Sequence, residues 1–264
     1  MGTLKHPIVE DRIIQGEGTA LEEWQQSQQL HHLKALELSK IFPLNSRICI
    51  VAPHPDDEVL GCGGLIQQLD AAGYEIVLFA VTNGTASHPD SRLYTPEQLD
   101  HIRPQETINA LSVLDLKQSI QRIALNIQDG EVAQQRDQLV ADLKPYLQAN
   151  DILVTTFEYD GHPDHEITGQ VSKQLAATHS LKCLQVLIWT WHWACPGDSR
   201  IPWHKALRLE LNAKQLARKI EAMQCFKSQL EPDSSTGKAA IVSGSALARL
   251  LQPWEVYIDD EGHL

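Results

Sequence analysis

The sequence predicts an α/β fold built on a mostly parallel, doubly wound sheet, with a helical extension at its N-terminal end. Three observations carry this. Runs of Val, Ile and Leu recur with little polar alternation, as in Ile48-Cys49-Ile50-Val51 and Ile152-Leu153-Val154, the pattern of strands buried on both faces. Stretches of helical character separate these runs, so crossovers join the strands and keep them parallel. Two of the runs open directly onto loops rich in His, Pro and Asp. In a parallel sheet the loops after the strands share one edge, where ligand sites form.

The elements follow in order. Residues 1–18 show no clear period and include the turn Gly16-Glu17-Gly18. From Thr19 to about Ile41, Leu30, Leu33, Leu36 and Leu38 supply an apolar stripe. Thr19 with Glu22 reads as a capping box, so one helix packed outside the core is expected there, closed by Pro43 and Asn45. A strand over 47–52 leads into a helix over 61–72 that stops at Gly73, a residue suited to the left-handed C-terminal position. A strand over 75–82, a loop at Asn83-Gly84 and an excursion over 85–98 come next. A helix from about Glu97 to Leu114 is expected to be interrupted at Pro104. Beyond it lie a short strand around 120–125, a turn at Asp129-Gly130, a helix over 131–148 and a strand over 151–157. A helix over 166–178, a strand over 183–191, a Trp-rich loop and a helix over 210–229 complete the core. In the tail, Val256-Tyr257-Ile258 reads as an edge strand. The whole is one domain over 1–264: an extension (1–45), an α/β core (46–230) and a tail (231–264).

At 264 residues the chain can bury a large core without disulfides. The formal net charge is −12 and no basic stripe is present. Binding of nucleic acid or an anionic membrane rests on Lys and Arg neutralising phosphates, so neither is expected as a partner. Five scattered cysteines with no C-x-x-C spacing read as free thiols in a reducing compartment. The N-terminal residues lack an apolar targeting segment, and a cytoplasmic location is the expectation.

The chemistry concentrates in two motifs, Ala52-Pro53-His54-Pro55-Asp56-Asp57-Glu58 and Gly161-His162-Pro163-Asp164-His165. His54 and Asp57 are three residues apart, as are His162 and His165, and in a helical first turn such pairs share a face. His54, Asp57 and His165 make a two-histidine, one-carboxylate set with an open position for water, as in catalytic zinc sites. Asp56 is left beside that water as a general base. His162 is left to hold an oxyanion or protonate a leaving amine. Asp164 can accept a hydrogen bond from a histidine ring and fix its tautomer. One ion per chain is expected, zinc first, with Fe(II) or another divalent ion as alternatives. His-Pro-Asp is also an ordinary turn sequence. A third copy, His88-Pro89-Asp90, lacks the acidic or histidine follow-on and reads as a turn. Gly61-Cys62-Gly63-Gly64 lacks the G-x-G-x-x-G spacing, so no dinucleotide site is expected.

The run A-P-H-P-D-D-E-V-L-G-C-G-G, taken with G-H-P-D-H, resembles the PIG-L/LmbE family of zinc-dependent N-deacetylases. The likeness extends over roughly Arg47 to Phe226 and takes in Asn83-Gly84, Arg103-x-x-Glu106 and Asp129-Gly130. It implies a Rossmann-like core and hydrolysis of an N-acetyl group, usually on a glucosamine-type sugar. Carried over by position, the family's ligands fall on His54, Asp57 and His165, its base on Asp56 and its acid or oxyanion histidine on His162. The chain departs from some sugar-deacetylating members at one position. Where they carry a tyrosine two residues before the second motif's first histidine, this chain has Asp160, with Tyr159 preceding it.

Substrate contacts are the least defined. Arg103 reads either as a surface pair with Glu106 or as a group reaching the crevice, and the resemblance favours the crevice. Tyr159 and Asp160 are candidates by position. Trp189, Trp191 and Trp193 would lie on one face of a strand, as core, as an interface between copies of the chain, or with Trp191 and Trp193 as a wall for a sugar ring. The expected partner is a small N-acetylated, sugar-containing molecule. Hydrolysis of another amide or an ester, and a metal- or nucleotide-binding regulator without turnover, are the competing readings.

Overall fold

The computed structural model describes residues 11–260. The first ten residues of the expected extension and the last four of the tail lie outside the described residues. Among the described residues, eight strands form one sheet: β1 (Lys34–Ala35), β2 (Arg47–Ala52), β3 (Glu75–Ala80), β4 (Gln121–Ala124), β5 (Asp151–Thr156), β6 (Lys182–Val186), β7 (Ala206–Glu210) and β8 (Trp254–Asp259). Their order is β1-β7-β8-β6-β5-β2-β3-β4, and every pairing is parallel except those of β8. The α/β, mostly parallel architecture is therefore as expected.

The sheet fixes where a ligand can bind. From β2 the chain moves through β3 and β4 to one edge, then returns to place β5 and β6 on the other side of β2. The strand order reverses between β2 and β5, and a crevice opens beyond the carboxyl ends of strands at such a point. Both motifs follow these two strands, which run in register from Arg47 opposite Asp151 to Val51 opposite Thr155.

Burial on both faces explains why β2 shows no alternation. Ile48 and Ile50 face a core shared with helices Asp57–Ala72, Pro96–Val113 and Ala213–Met223, through Val59, Leu65, Ala110 and Ala222. Cys49 and Val51 face a second core, shared with helices Arg136–Leu143 and Pro163–His179 through Leu139 and Val171.

Several expectations are corrected. The single helix over 19–41 is instead three short helices, Leu21–Gln25, Gln28–His31 and Leu38–Ile41, with β1 between the last two. Thr19 does not cap: its Oγ1 is bonded to the Ala194 carbonyl. Ser27 stops the first helix and caps the second, accepting from the Leu30 N–H. Segments this short are held by tertiary packing rather than propensity, and here Trp24 is buried against Trp191 and Trp203. Pro104 removes one hydrogen bond but does not break helix Pro96–Val113. The helix expected over 131–148 is Arg136–Leu143 followed by a short 3-10 turn, and helix 61–72 starts earlier, at Asp57.

The C-terminal third differs most. β6 ends at Val186, and Thr190–Trp193 is a helical turn, so the indoles at 189, 191 and 193 do not line one strand face. β7 occupies residues read as loop and helix start, and the following helix begins after a capping box at Asn212 and Gln215. Val256-Tyr257-Ile258 lies inside the sheet, antiparallel to β6 and β7, because β7 and β1 extend the sheet beyond it. Among the described residues, no helix is long and apolar enough to cross a membrane.

Candidate active site

The two motifs meet over the β2–β5 crevice. After β2 the chain turns through Pro53-His54-Pro55, and Asp56 then takes a φ of 127° at the N-terminus of helix Asp57–Ala72. A non-glycine residue in that region costs roughly 1–3 kcal/mol. Its N–H is held by Glu58 Oε2 at 3.1 Å, and its carbonyl accepts from the N–H groups of Val59 and Leu60. After β5, His162 caps helix Pro163–His179 by accepting the Asp164 N–H on Nδ1 at 3.2 Å. The ring proton of neutral His162 therefore sits on Nε2.

Three donor atoms converge at the centre. His54 Nδ1 lies 3.2 Å from His165 Nε2 and 3.3 Å from Asp57 Oδ2, and His165 Nε2 lies 3.2 Å from Asp57 Oδ2. A tetrahedral zinc ion with bonds of about 2.0–2.1 Å separates its ligand atoms by about 3.3 Å. The triangle and its two-imidazole, one-carboxylate chemistry thus fit a divalent ion.

His54 also takes part in a second grouping. Its Nε2 faces Asp129 Oδ1 at 3.2 Å and Asp164 Oδ2 at 3.3 Å. These carboxylates already accept backbone donors: Asp164 from Gly130 at 2.8 Å and Val132 at 3.3 Å, Asp129 from Ala86 at 2.7 Å. They anchor the 84–87 and 129–132 loops and fix the ring of His54, the role carboxylates commonly play behind a ligating histidine. Asp164 thus stands where the sequence suggested a tautomer-fixing carboxylate. Asp129 was legible as part of a turn within the family likeness, with no role attached to it.

His165 is held in the same way. Its Nδ1 lies 2.8 Å from Asp160 Oδ2. Asp160 is wholly buried and accepts from the N–H groups of Ile188, Trp189 and Thr190 and from the Thr190 hydroxyl, at 2.7–3.0 Å. The residue considered for substrate contact is instead a brace tying the loop after β6 to the His165 ring. Asp160→Asn should weaken binding of a divalent ion about 10- to 100-fold while the chain stays folded. Titration with a chelating metal indicator, alongside circular dichroism, reads both.

Arg103 is buried and makes no surface pair with Glu106, whose carboxylate accepts from Ser228 instead. Its guanidinium donates to the carbonyls of Gly84 at 3.0 Å and Pro55 at 2.7 Å and reaches Asp56 Oδ2 at 3.4 Å. A Cβ on Gly84, which has a φ of +67°, would come within 2.0 Å of Arg103 Nη1. Glycine at 84 therefore lets the arginine lie flat beneath the site.

The field at the site separates its ionisable groups. Burial pushes Asp56 up to about 8, assisted by Asp57 and opposed by Arg103 and His54. Burial also acts on Asp57, but His165 and His54 beside it hold it well below the usual carboxylate range. His162 is pushed down to about 3 by burial and by His54 and His165.

A cavity of about 390 Å³ opens on this cluster, and His54, Asp56, Asp57, Arg103, His162 and His165 all line it. Tyr159 is not among the lining residues; it is exposed, beneath the Arg12 guanidinium. Neither Trp191 nor Trp193 lines it. Trp191 is core, edge-on to Trp24 with its indole N–H on the Leu187 carbonyl. Trp193 donates to the Asp160 carbonyl and stacks under Arg200. The tryptophan on the cavity wall is Trp189, beside Ile188. His88 is not a lining residue; its carbonyl closes a turn onto the Ser91 N–H.

Residues 49–176 match the family profile described as PIG-L, GlcNAc-PI de-N-acetylase. Over that stretch, just under half of the chain, it is similar to the PIG-L family. It is 28% identical over 135 residues to a probable N-acetyl-alpha-D-glucosaminyl L-malate deacetylase 2 of Bacillus subtilis (strain 168), covering 48% of this chain and 59% of that protein. It is 26% identical over 127 residues to the diacetylchitobiose deacetylase of Thermococcus kodakarensis, covering 47% and 46%. The chain thus spans about half the length of the curated relatives it matches. Solved structures share the fold. The zinc-inhibited form of teicoplanin deacetylase Orf2 superposes with a TM-score of 0.60 at 16% identity, over 81% of this chain and 97% of that one. The N,N'-diacetylchitobiose deacetylase of Pyrococcus horikoshii superposes with 0.53 at 23% identity, over 75% and 74%. The PIG-L match begins in β2 and ends in helix Pro163–His179, so it holds both motifs, Arg103 and Asp129. Trp189, Val242 and Arg249, on another part of the cavity wall, lie beyond it.

Proposed function

We propose that the chain is a zinc-dependent N-deacetylase that hydrolyses the acetamido group of a small sugar-containing substrate. The observation that carries this reading is the triangle of His54 Nδ1, Asp57 Oδ2 and His165 Nε2, with edges of 3.2–3.3 Å, on a cavity also lined by Asp56 and His162. The PIG-L match and the sugar deacetylases among its relatives support the substrate class.

His54, Asp57 and His165 would hold the ion, which supplies a Lewis acid for the amide carbonyl and lowers the pKa of water. Asp56 takes the proton of the attacking water as its oxygen adds to the carbonyl carbon. Arg103, bonded to the Pro55 carbonyl and within 3.4 Å of Asp56, positions that carboxylate. His162 donates from Nε2 to the oxyanion that develops on the carbonyl oxygen. The C–N bond then breaks, the nitrogen takes the proton from Asp56, and a free amine and acetic acid leave, the acid giving its remaining proton to solvent to become acetate.

Zinc-loaded protein should release acetate and free amine in equal amounts from aryl 2-acetamido-2-deoxyglucosides, and dialysis against a chelator should abolish both. Release of the aryl group with the acetamide intact would make the chain a glycosidase. Acetate released only from O-acetyl sugars would move the reading to ester hydrolysis.

A further inference from the structure

Part of the cavity lining is not explained by amide hydrolysis. Ile188, Trp189, Ile241, Val242 and Leu250 make it apolar, and Arg249 interrupts it. Arg103 and Arg249 are the two buried arginines among the described residues, and their surroundings differ. Arg103 faces the Asp56 carboxylate. Arg249, 5% exposed, has no carboxylate within ion-pair distance among the described residues. Its Nη1 donates to the carbonyls of Glu17 and Thr19 at 3.0 and 2.8 Å, and its Nη2 donates to His192 Nδ1 at 2.7 Å. Glu17 contributes its carbonyl, and its carboxylate, on an exposed residue, acts on the guanidinium only from beyond ion-pair distance. His192 accepts on Nδ1, so this ring is neutral and adds no counter-charge.

A guanidinium has five N–H donors, and three are used here. The Nε–H is buried with no partner among the described residues, and one Nη2–H remains. Nε and Nη2 form the side-on edge through which arginine holds a carboxylate or phosphate with two parallel hydrogen bonds. A cation kept from water with only neutral acceptors is costly unless something completes it. Among the described residues, no carboxylate pairs with it and none accepts from Nε.

The geometry points to a second subsite in this cavity, one that takes an apolar aglycone bearing a single carboxylate or phosphate on Arg249. The assignment rests on the deacetylase reading for the sugar end and on Arg249 alone for the anionic end. It also moves the arginine expected to recognise substrate from Arg103, which is engaged with Asp56 and backbone carbonyls, to a residue beyond the PIG-L match.

Sugar-free probes separate the two ends. Binding of 4-butylbenzoate, 4-butylphenyl phosphate and neutral 4-butylbenzyl alcohol to the zinc-loaded protein is measured by calorimetry. At least one anion should bind about tenfold or more tightly than the alcohol, as expected for a bidentate charge-assisted pair, and the tighter anion identifies the group. Arg249→Met should bring that ratio to about two or less, and Arg249→Lys, which keeps charge but loses the planar fork, should fall between. Equal binding of all three probes by the unaltered protein overturns the proposal, whether or not the variants fold. So does a preference that survives Arg249→Met, which would place the anion elsewhere. Failure to release acetate from any sugar, with the anion preference intact, would overturn the deacetylase reading and leave the subsite standing.

Discussion

Asp56→Asn is expected to keep its capacity to bind a divalent ion and lose turnover by about a hundred- to ten-thousand-fold, the range for removal of a general base. Asparagine suits this test better than alanine. Asp56 sits at φ 127°, and asparagine tolerates positive φ more readily than most residues. The amide keeps an oxygen for Arg103, 3.4 Å from Asp56 Oδ2, but cannot take a proton. The measurement is kcat on an N-acetylated glycoside together with metal content per chain. A variant of near-normal kcat would move the base elsewhere, and Glu58, buried beside it and pushed up to about 7 chiefly by burial, is the next carboxylate to test. Loss of metal along with activity would exchange the roles of Asp56 and Asp57.

His165→Ala should remove the metal itself. Three ligands become two, and content after dialysis should drop from about one ion per chain to about a tenth or less, since a catalytic zinc site rests on three protein ligands. Activity should go with it. The void left between Asp57 and Asp160 is lined by polar groups, so the fold should survive: Asp160 keeps its bonds from Ile188, Trp189 and Thr190. Atomic absorption and a thermal melt report the two outcomes separately. Full metal content in this variant would place the ion in the other grouping, on His54, Asp129 and Asp164.

Both experiments use residues visible in the sequence, and the reason is local. His54 and Asp57 lie three positions apart at one strand end, and His162 and His165 at another, so the strand-to-helix turns alone bring each pair to one place. That the two places coincide follows from the order reversal between β2 and β5, which the alternation of strands and helices made legible as a class but not as an order. Asp160 shows the opposite case. Its place two residues before His162 suggested a substrate contact, whereas its four donors come from residues 188–190, and nothing in the sequence links them.

The N-terminal segment and the tryptophans fail for a related reason. A leucine stripe over 30–38 is compatible with one long helix, and only burial of Trp24 against Trp191 and Trp203 favours three short ones with an edge strand. Spacing at 189, 191 and 193 fits a strand face, yet β6 ends before it and each indole takes a different environment. The sequence by itself determined the fold class, the two motifs and the ligand chemistry they offer, because strand burial and helix-turn spacing act over a few residues. The tertiary structure alone decided the braces that Asp129 and Asp160 place behind the histidines, the place of β8 inside the sheet and the isolated Arg249 on the cavity wall. Each of those depends on groups tens to hundreds of residues apart, and their contacts exist only once the chain is packed.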